Sequence, residues 1–151
     1  MDTLTTAIET EEQALHLENQ VCFPLYSAAN AVIRAYRPLL DALDLTYSQY
    51  LVMMVLWREN GINVKELGAK LYLDSGTLTP LLKRLEGKGI VIRKRSETDE
   101  RVRELYLTDL GQELKQKALD VPKAMRCKVN LELDELIQLK HLCEKLLSKL
   151  S

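Results

Sequence analysis

The sequence predicts a mainly helical protein that carries one small β hairpin. Three observations support this fold class. Only 5% of the residues are aromatic, and Leu, Lys and Glu are abundant, which is typical of helical proteins. Two short amphipathic segments with a tight polar turn between them occupy the middle of the chain, and two short β-prone runs follow directly. With 151 residues, 46% of them hydrophobic, the chain can form one domain-sized core.

The first predicted helix lies in LENQVCFPLYSAANAVIRAY, residues 17–36. Pro24 is tolerated only in the first turn of a helix, so a helix should begin, or kink and restart, around residues 22–24. A thiol at that position faces unpaired N–H groups and the positive end of the helix dipole, which favours the thiolate. A thiolate attacks the O–O bond of a peroxide and becomes a sulfenic acid. The alternative for Cys22 is a small buried hydrophobic residue, the usual role of a free cysteine.

The next two helices are predicted at YSQYLVMMVLWREN, residues 47–60, and within NVKELGAKLYL, residues 63–73. Thr46 is a suitable N-cap for the former helix. The latter helix places three apolar side chains at helical spacing and should bury that one stripe. The stripe consists of Val64, Leu67 and Leu71.

A fourth helix is predicted in LDSGTLTPLLKRLEGKG, residues 73–89, with Asp74 or Ser75 as its N-cap and Gly87 or Gly89 at its end. Two short helices joined by a tight turn are typical of a helix-turn-helix, whose second helix enters the major groove of DNA. An ordinary pair of antiparallel helices is the alternative. The residues predicted to meet DNA are Ser75, Thr77, Thr79, Lys83 and Arg84.

The runs IVIRKR, residues 90–95, and VRELYL, residues 102–107, predict a hairpin around the polar turn SETDER. A hairpin directly after a recognition helix is a wing. Residues 83–103 contain eight basic and four acidic residues, whereas residues 1–20 contain five acidic and no basic ones. A solvated face is the alternative for such a charge run. Arg95 and Arg101 are predicted to reach a phosphate or the minor groove, and Asp99 is also predicted to be a DNA-binding residue of the wing.

The C-terminal part predicts helices that need a partner. Thr108 should cap a helix that continues to Pro122 and buries Leu110, Leu114, Ala118 and Val121. The last segment repeats apolar residues at alternating spacings of three and four, as a coiled-coil seam does. A homodimer would cover this seam and place Cys143 in a core position. The seam consists of Leu136, Leu139, Cys143, Leu146 and Leu150.

The predicted organisation has three regions: a dimerisation and sensor region at 1–45, a winged helix-turn-helix at 46–108, and C-terminal dimerisation helices at 109–151. No run approaches the roughly 20 apolar residues of a membrane span, and the start of the chain does not resemble a secretory signal. We therefore expect a cytoplasmic protein with reduced thiols. His16 and His141 are isolated, so we expect neither a metal site nor a cofactor.

Three stretches together resemble the MarR family of transcriptional regulators. They are LENQVCFPLYSAANAVIRAYRPLLDALDLTYSQYLVMMVLW, KELGAKLYLDSGTLTPLLKRLEGKGIVIRKRSETDER and LYLTDLG. Within the family, the chain is similar to the organic-hydroperoxide-sensing repressors, the OhrR group. Pro24 departs from the pattern of that group. The resemblance implies a dimeric MarR-like architecture, with a repressor that leaves double-stranded operator DNA when a cysteine near the N-terminus is oxidised by an organic hydroperoxide.

The resemblance also assigns supporting residues. The tyrosines that hold the thiolate in this family match Tyr36 and Tyr47, although core or interface packing is the alternative for both. Tyr36 lies fourteen residues after Cys22, about 21 Å along a helix, so a shared site requires the two residues to come from different subunits. In the two-cysteine branch, a cysteine near position 127 forms a disulfide with the oxidised one across the dimer. Cys127 matches it, with the cations Arg126 and Lys128 beside it. The alternative is an unpaired thiol.

Three other functions remain open from the sequence. A thiol peroxidase would also contain two reactive cysteines, but it would require a thioredoxin-like alternation of strands and helices and would have no use for a basic wing. A regulator of the same fold could instead respond to a small phenolic ligand. A broader regulator of the thiol-sensing branch could control many genes. The prediction is that the chain is not an enzyme.

Overall fold

The structure, a computed structural model, describes residues 10–151. This part of the chain folds into seven α-helices and one two-stranded antiparallel sheet, preceded by two short 3-10 helices at Gln13–Leu15 and Leu17–Asn19. The predicted fold class is therefore confirmed. The elements are α1 (Cys22–Asp41), α2 (Tyr47–Arg58), α3 (Val64–Leu71), α4 (Ser75–Gly87), β1 (Val91–Arg95), β2 (Arg103–Leu107), α5 (Asp109–Ala118), α6 (Val121–Val129) and α7 (Leu133–Leu150).

The hydrophobic core lies between α2, α3, α4 and the hairpin. The side chains of Leu56, Leu67, Leu82 and Leu105 are fully buried there, one from each of these elements. Burial of a leucine contributes about 1.5–3 kcal/mol relative to exposure, so these contacts account for much of the stability of the unit. They fix the orientation of α4 relative to the hairpin, which is the relation that a winged helix-turn-helix requires.

Three helices begin at the predicted caps. The Thr46 hydroxyl accepts a hydrogen bond from the Gln49 backbone N–H at 3.2 Å, and the Gln49 side chain accepts one from the Thr46 N–H at 3.0 Å. Asp74 accepts a bond from the Thr77 N–H at 2.8 Å, and Thr108 caps α5 in the same way. Each cap satisfies a backbone donor that the helix itself leaves free, so the starts of these helices are local properties of the sequence.

Two predictions for the segment around Pro122 are wrong: the residue at which the helix ends, and the burial of Leu110. The helix that follows the wing ends at Ala118, and Pro122 lies in the first turn of the next helix, α6. The first turn tolerates proline because its N–H groups have no partner within the helix. Leu110 is 54% exposed in the chain and does not face its core, although Ala118 and Val121 do.

Helix α7 and most of α1 lie outside the core. Leu40 is the one buried residue of α1, and no residue of α7 is buried. Large exposed apolar side chains cover both helices, and patches of this extent mark protein interfaces. In the predicted seam, Leu136 and Cys143 are partly covered and the other three residues are exposed. A core position for Cys143 therefore depends on a second chain and stays a prediction.

Two further predictions concern the chain as a whole. The division at 1–45, 46–108 and 109–151 stays a prediction, and the first nine residues of its first region lie outside the described residues. Within residues 10–151, no helix has the length and hydropathy that crossing a bilayer requires.

Replacing Gly111 with alanine should destabilise the fold. A Cβ atom at this position would lie 2.2 Å from the backbone oxygen of Ile90, so α5 and the start of the hairpin would have to separate. We expect the free energy of unfolding to fall by about 2 kcal/mol, as in other overpacked cores. Urea unfolding followed by circular dichroism, at matched protein concentration, measures this change.

Gly87→Ala is the matched control, because a Cβ atom there meets nothing within 4 Å. Its stability should equal or slightly exceed that of the wild type, since alanine restricts the unfolded chain. Equal stabilities of the two variants would contradict the proposed close contact between Gly111 and Ile90.

Candidate nucleic-acid interface and thiol site

The predicted DNA-reading residues of α4 all reach the surface. Leucines alternate with them along the helix and are buried in the core, so α4 presents one apolar and one polar side. Small hydroxyls near the start of the helix and cations in its later turns suit base edges and phosphates, respectively. The exposed residues are Ser75, Thr77, Thr79, Lys83 and Arg84.

The wing is a regular hairpin in which Val91 pairs with Leu107 and Arg95 with Arg103. Arg95 and Arg101 are exposed near its tip. Asp99 accepts hydrogen bonds from the backbone N–H of Arg101 at 3.0 Å and from its Nε at 3.4 Å. Asp99 therefore orients Arg101, and the wing presents cations near its tip, where the sequence predicted them.

An ion pair joins the wing to the recognition helix. Arg93 Nε lies 2.6 Å from a carboxylate oxygen of Glu86, and the two side chains are only 28% and 31% exposed. Partial burial strengthens such a pair relative to a fully exposed one. The pair links β1 to the last part of α4 and so couples the position of the wing to that of the helix.

A groove of about 830 Å³ separates the turn before α4 from the wing. Its lining includes Lys65, Tyr72, Ser75, Arg101 and Arg103. Lys65, Tyr72 and Arg103 were absent from the sequence-based prediction. Their positions in the groove depend on how α3 packs against the hairpin, which is a contact between distant segments. For Tyr72 alone, its place next to the tight turn before α4 was a local signal that it could lie at the surface.

Cys22 is the first residue of α1 and is exposed. The preceding residue, Val21, provides no side-chain hydrogen bond to the start of the helix, so the first N–H groups of α1 are uncapped by a side chain. Pro24 falls within the first turn. The predicted start of the helix at residues 22–24 is thus confirmed, and the thiol lies beside the positive end of the helix dipole.

Three tyrosines cluster where the end of α1 meets α2. The ring centroids of Tyr36 and Tyr47 are 4.8 Å apart, and the Tyr50 ring lies 5.9 Å from that of Tyr36 and 6.4 Å from that of Tyr47. The structure therefore brings together the two predicted tyrosines and adds Tyr50, which is buried. The spacing of three residues between positions 47 and 50 was the available signal for it, because such residues share a helix face.

The surroundings of the cluster keep its phenols protonated. Burial raises the pKa of Tyr36 and Tyr47, and the neighbouring Tyr47 raises that of Tyr36 further. Burial, followed by the two neighbouring phenols, raises the pKa of Tyr50. Because the ordinary value is already about 10, all three hydroxyls retain their protons at neutral pH and can donate hydrogen bonds.

The cluster does not reach the thiol of its own chain. Tyr36 and Cys22 belong to the same continuous helix, α1, and are fourteen residues apart. At a rise of 1.5 Å per residue, their backbones are about 21 Å apart along its axis. The structure therefore places Cys22 at the start of α1 and Tyr36, with Tyr47 packed against it, near the other end of that helix.

Cys127 lies on α6 and is exposed, and the cations Arg126 and Lys128 flank it in the sequence. Helix α6 packs against α1. The Lys128 ammonium donates a hydrogen bond to the backbone oxygen of Ala35 at 3.0 Å. Cys22 and Cys127 are both free thiols in the chain. Among residues 10–151, no three His, Cys, Asp or Glu side chains are grouped so that they could hold a metal ion.

The fold and the polar face of α4 together define a winged helix-turn-helix DNA-binding regulator. Comparisons with known proteins give the family. The family described as Transcriptional regulator SarA/Rot matches residues 34–118. The organic hydroperoxide resistance transcriptional regulator of Bacillus subtilis (strain 168) is 50% identical over 115 residues, which cover 76% of this chain and 78% of the relative. The chain belongs to the MarR family of transcriptional regulators, in the group of the organic hydroperoxide resistance regulators.

Solved structures of AbfR, a protein of Staphylococcus epidermidis, are similar over nearly the whole chain. Reduced AbfR bound to DNA is 36% identical, with a TM-score of 0.77, and the match covers 93% of this chain and 96% of that one. Disulfide-formed AbfR is also 36% identical, with a TM-score of 0.59 and 92% coverage of both chains. These relatives are regulators, and the chain is accordingly a transcriptional regulator and not an enzyme.

The tyrosine cluster should make stability depend on alkaline pH. A raised pKa means that the folded state holds the phenolic protons more tightly than the unfolded state. The contribution is complete below about pH 10 and is lost as the pH rises through the folded-state pKa. The free energy of unfolding should therefore fall above about pH 10, and Tyr36→Phe should make this fall less steep.

Urea unfolding at a series of pH values from 8 upwards measures the slope for the wild type and for Tyr36→Phe. Below pH 9 the two curves should run parallel, because neither state loses phenolic protons there. An unchanged slope in the variant above pH 10 would show that Tyr36 does not contribute to the effect.

Proposed function

We propose that the protein is a redox-sensing transcriptional repressor that acts as a homodimer. It binds double-stranded operator DNA when Cys22 is reduced and leaves the DNA when an organic hydroperoxide oxidises Cys22. A disulfide between Cys22 of one subunit and Cys127 of the other completes the switch. In this proposal, residues 1–45 and 109–151 form the dimer, and residues 46–108 read the DNA.

The observation that carries the proposal is the arrangement of Cys22 on α1. An exposed thiol occupies the uncapped start of the helix, and Tyr36, whose ring packs against those of Tyr47 and Tyr50 of α2, lies about 21 Å further along the helix axis. Two antiparallel copies of α1 would bring the start of one helix beside the end of the other. Tyr36 and Tyr47 of one subunit would then donate hydrogen bonds to the Cys22 thiolate of its partner.

The exposed apolar surfaces of α1 and α7 support this dimer. The exposed large side chains of α1 include Phe23, Leu25, Val32 and Ile33, and those of α7 include Leu142. A lone chain would leave them in water at a cost of about 25 cal/mol for each Å² that a partner could cover. A two-fold dimer also matches the two half-sites of a pseudo-palindromic operator.

The chemistry proceeds in two balanced steps. The Cys22 thiolate attacks the terminal oxygen of the hydroperoxide and the O–O bond breaks. Cysteine becomes a sulfenic acid with the terminal O–H group, and the alkoxide leaves and takes a proton from water to become the alcohol. The Cys127 thiol of the partner then attacks the Cys22 sulfur, an S–S bond forms, and one water molecule leaves. The hydroperoxide is the oxidant that receives the two electrons, and reduction by a cellular dithiol would restore both thiols.

Disulfide formation would move the DNA-binding units, because it requires the Cα atoms of Cys22 and of Cys127 of the other subunit to lie within about 7 Å. Cys127 lies on α6, which packs on α1, and the end of α1 enters the winged unit through the buried Leu40. A displacement of α6 against α1 therefore propagates towards α4. Because two half-sites must be met at once, a shift of a few ångströms could cost several kcal/mol of binding free energy.

The names of two relatives support this proposal. The Bacillus subtilis relative is a regulator of organic hydroperoxide resistance. AbfR has been solved in a reduced form bound to DNA and in a disulfide form. A change between thiol and disulfide in a similar dimer would give this chain the two states that a redox switch needs.

Replacing either cysteine should break the switch at a different step. After treatment with cumene hydroperoxide, the wild type should run as a covalent dimer on a non-reducing gel and lose DNA binding. Cys22→Ser should form no covalent dimer and keep its DNA, because the attacking thiolate is absent. Cys127→Ser should form no covalent dimer but accumulate a sulfenic acid, which a dimedone probe detects by mass spectrometry.

DNA binding in this experiment is measured by fluorescence anisotropy on a duplex selected from a random pool by the reduced wild type. Cys143→Ala is the matched control and should behave as the wild type, since it removes the third thiol, which has no redox role in the proposal, without placing a hydroxyl in the predicted apolar seam. If hydroperoxide still released Cys22→Ser from DNA, a regulator that responds to a small ligand would be favoured. Sustained peroxide turnover in the presence of a reducing system would favour a thiol peroxidase.

A further inference from the structure

We propose that the groove between the turn before α4 and the wing holds the sugar–phosphate strand of bound DNA, and that Tyr72 donates a hydrogen bond to a phosphate there. The inference depends on the DNA-binding fold and is independent of the redox proposal. It adds a contact residue that lies outside the recognition helix and the wing.

The position of the groove defines its occupant. A recognition helix occupies the major groove of DNA, and a basic wing reaches the neighbouring minor groove. One sugar–phosphate strand separates these two grooves, so it must pass between helix and wing. In this protein, that space is the groove of about 830 Å³, with Ser75 of α4 on one side and Arg101 and Arg103 of the wing on the other.

Tyr72 adopts an unusual backbone conformation at this point. It caps the end of α3 with φ 56° and ψ 38°, the left-handed region that glycine occupies most easily. A residue with a Cβ atom pays a conformational cost in that region. The side chain does not recover this cost by packing, because it is 63% exposed. Among the described residues its hydroxyl has no hydrogen-bond partner.

The charges around Tyr72 indicate an anionic strand. Lys65 lines the same groove and, within residues 10–151, forms no ion pair. Arg103 adds positive charge from the wing side, and Arg101, which pairs with Asp99 at 3.4 Å, also lines the groove there. The carboxylate of Asp74 also faces the groove, but it is engaged by the Thr77 N–H at 2.8 Å. A phosphate would therefore lie towards Lys65 and Tyr72 and away from Asp74.

Loss of a neutral hydrogen-bond donor and loss of a cation change the salt dependence of DNA binding differently. Loss of a cation that contacts a phosphate reduces the salt dependence of binding, because fewer counterions are released. Loss of a phenolic hydroxyl removes a hydrogen bond to a charged group and leaves the number of released counterions unchanged. Salt dependence therefore separates the role of Tyr72 from that of Lys65.

The test uses the full-length chain, kept reduced, and a fluorescein-labelled duplex of 40 base pairs and mixed sequence, because phosphate contacts act on any sequence. Tyr72→Phe should weaken binding about 5- to 10-fold without changing the slope of log affinity against log salt. Lys65→Ala should weaken binding and reduce that slope by about 1 for each half-site. Tyr26→Phe, which removes an exposed hydroxyl from α1, should bind as the wild type does.

A second variant separates contact from folding. Tyr72→Gly removes the side chain and suits the left-handed conformation, so its melting temperature should rise by about 2–4 °C while its affinity for the duplex falls. Wild-type affinity of Tyr72→Phe would overturn the proposal. Wild-type affinity of Tyr72→Gly would overturn it as well.

Discussion

The length of α1 is the constraint on which the proposed sensor depends. A continuous helix that begins at Cys22 and carries Tyr36 fourteen residues later separates the two backbones by about 21 Å along its axis, and no rotamer spans that distance. A single chain therefore has the thiol and the protonated phenols but cannot combine them. The apolar surfaces of α1 and α7 are the means by which a second chain would complete the site. In this proposal, the sensor site is complete only in the dimer, so sensing requires dimerisation.

The same helix would also carry the signal towards DNA. Leu40, near the end of α1, is buried with the core of the winged unit, and Lys88, just after α4, pairs with Asp44 at the turn after α1. Movement of α1 would therefore be felt in the core behind the recognition helix and at the C-terminal end of that helix. The pair of Arg93 and Glu86 holds the wing on α4, so helix and wing should move together. Oxidation of one sulfur could then displace the recognition helix and the wing together.

The sequence predicted the parts of the fold that depend on neighbouring residues. Thr46, Asp74 and Thr108 cap helices where they were expected, because a cap needs only the next three residues. The break at Pro122 was misplaced because proline ends one helix and begins another equally well. The groove beside Tyr72 could not be predicted, since it depends on contacts between distant segments, whereas the three-residue spacing between Tyr47 and Tyr50 was a local signal for the third ring of the tyrosine cluster. Whether Leu110 and Cys143 become buried depends on a chain that one sequence does not contain.

Mixed dimers test most directly whether the sensor is shared between subunits. A dimer of Cys22→Ser with Tyr36→Phe keeps one complete site if each thiol uses the tyrosine of its partner. A dimer of wild type with the double variant Cys22→Ser/Tyr36→Phe then keeps none. We predict that the former mixed dimer forms sulfenic acid with cumene hydroperoxide at close to half the wild-type rate and that the latter is much slower. The reverse order would place thiol and tyrosine in the same subunit and contradict the account.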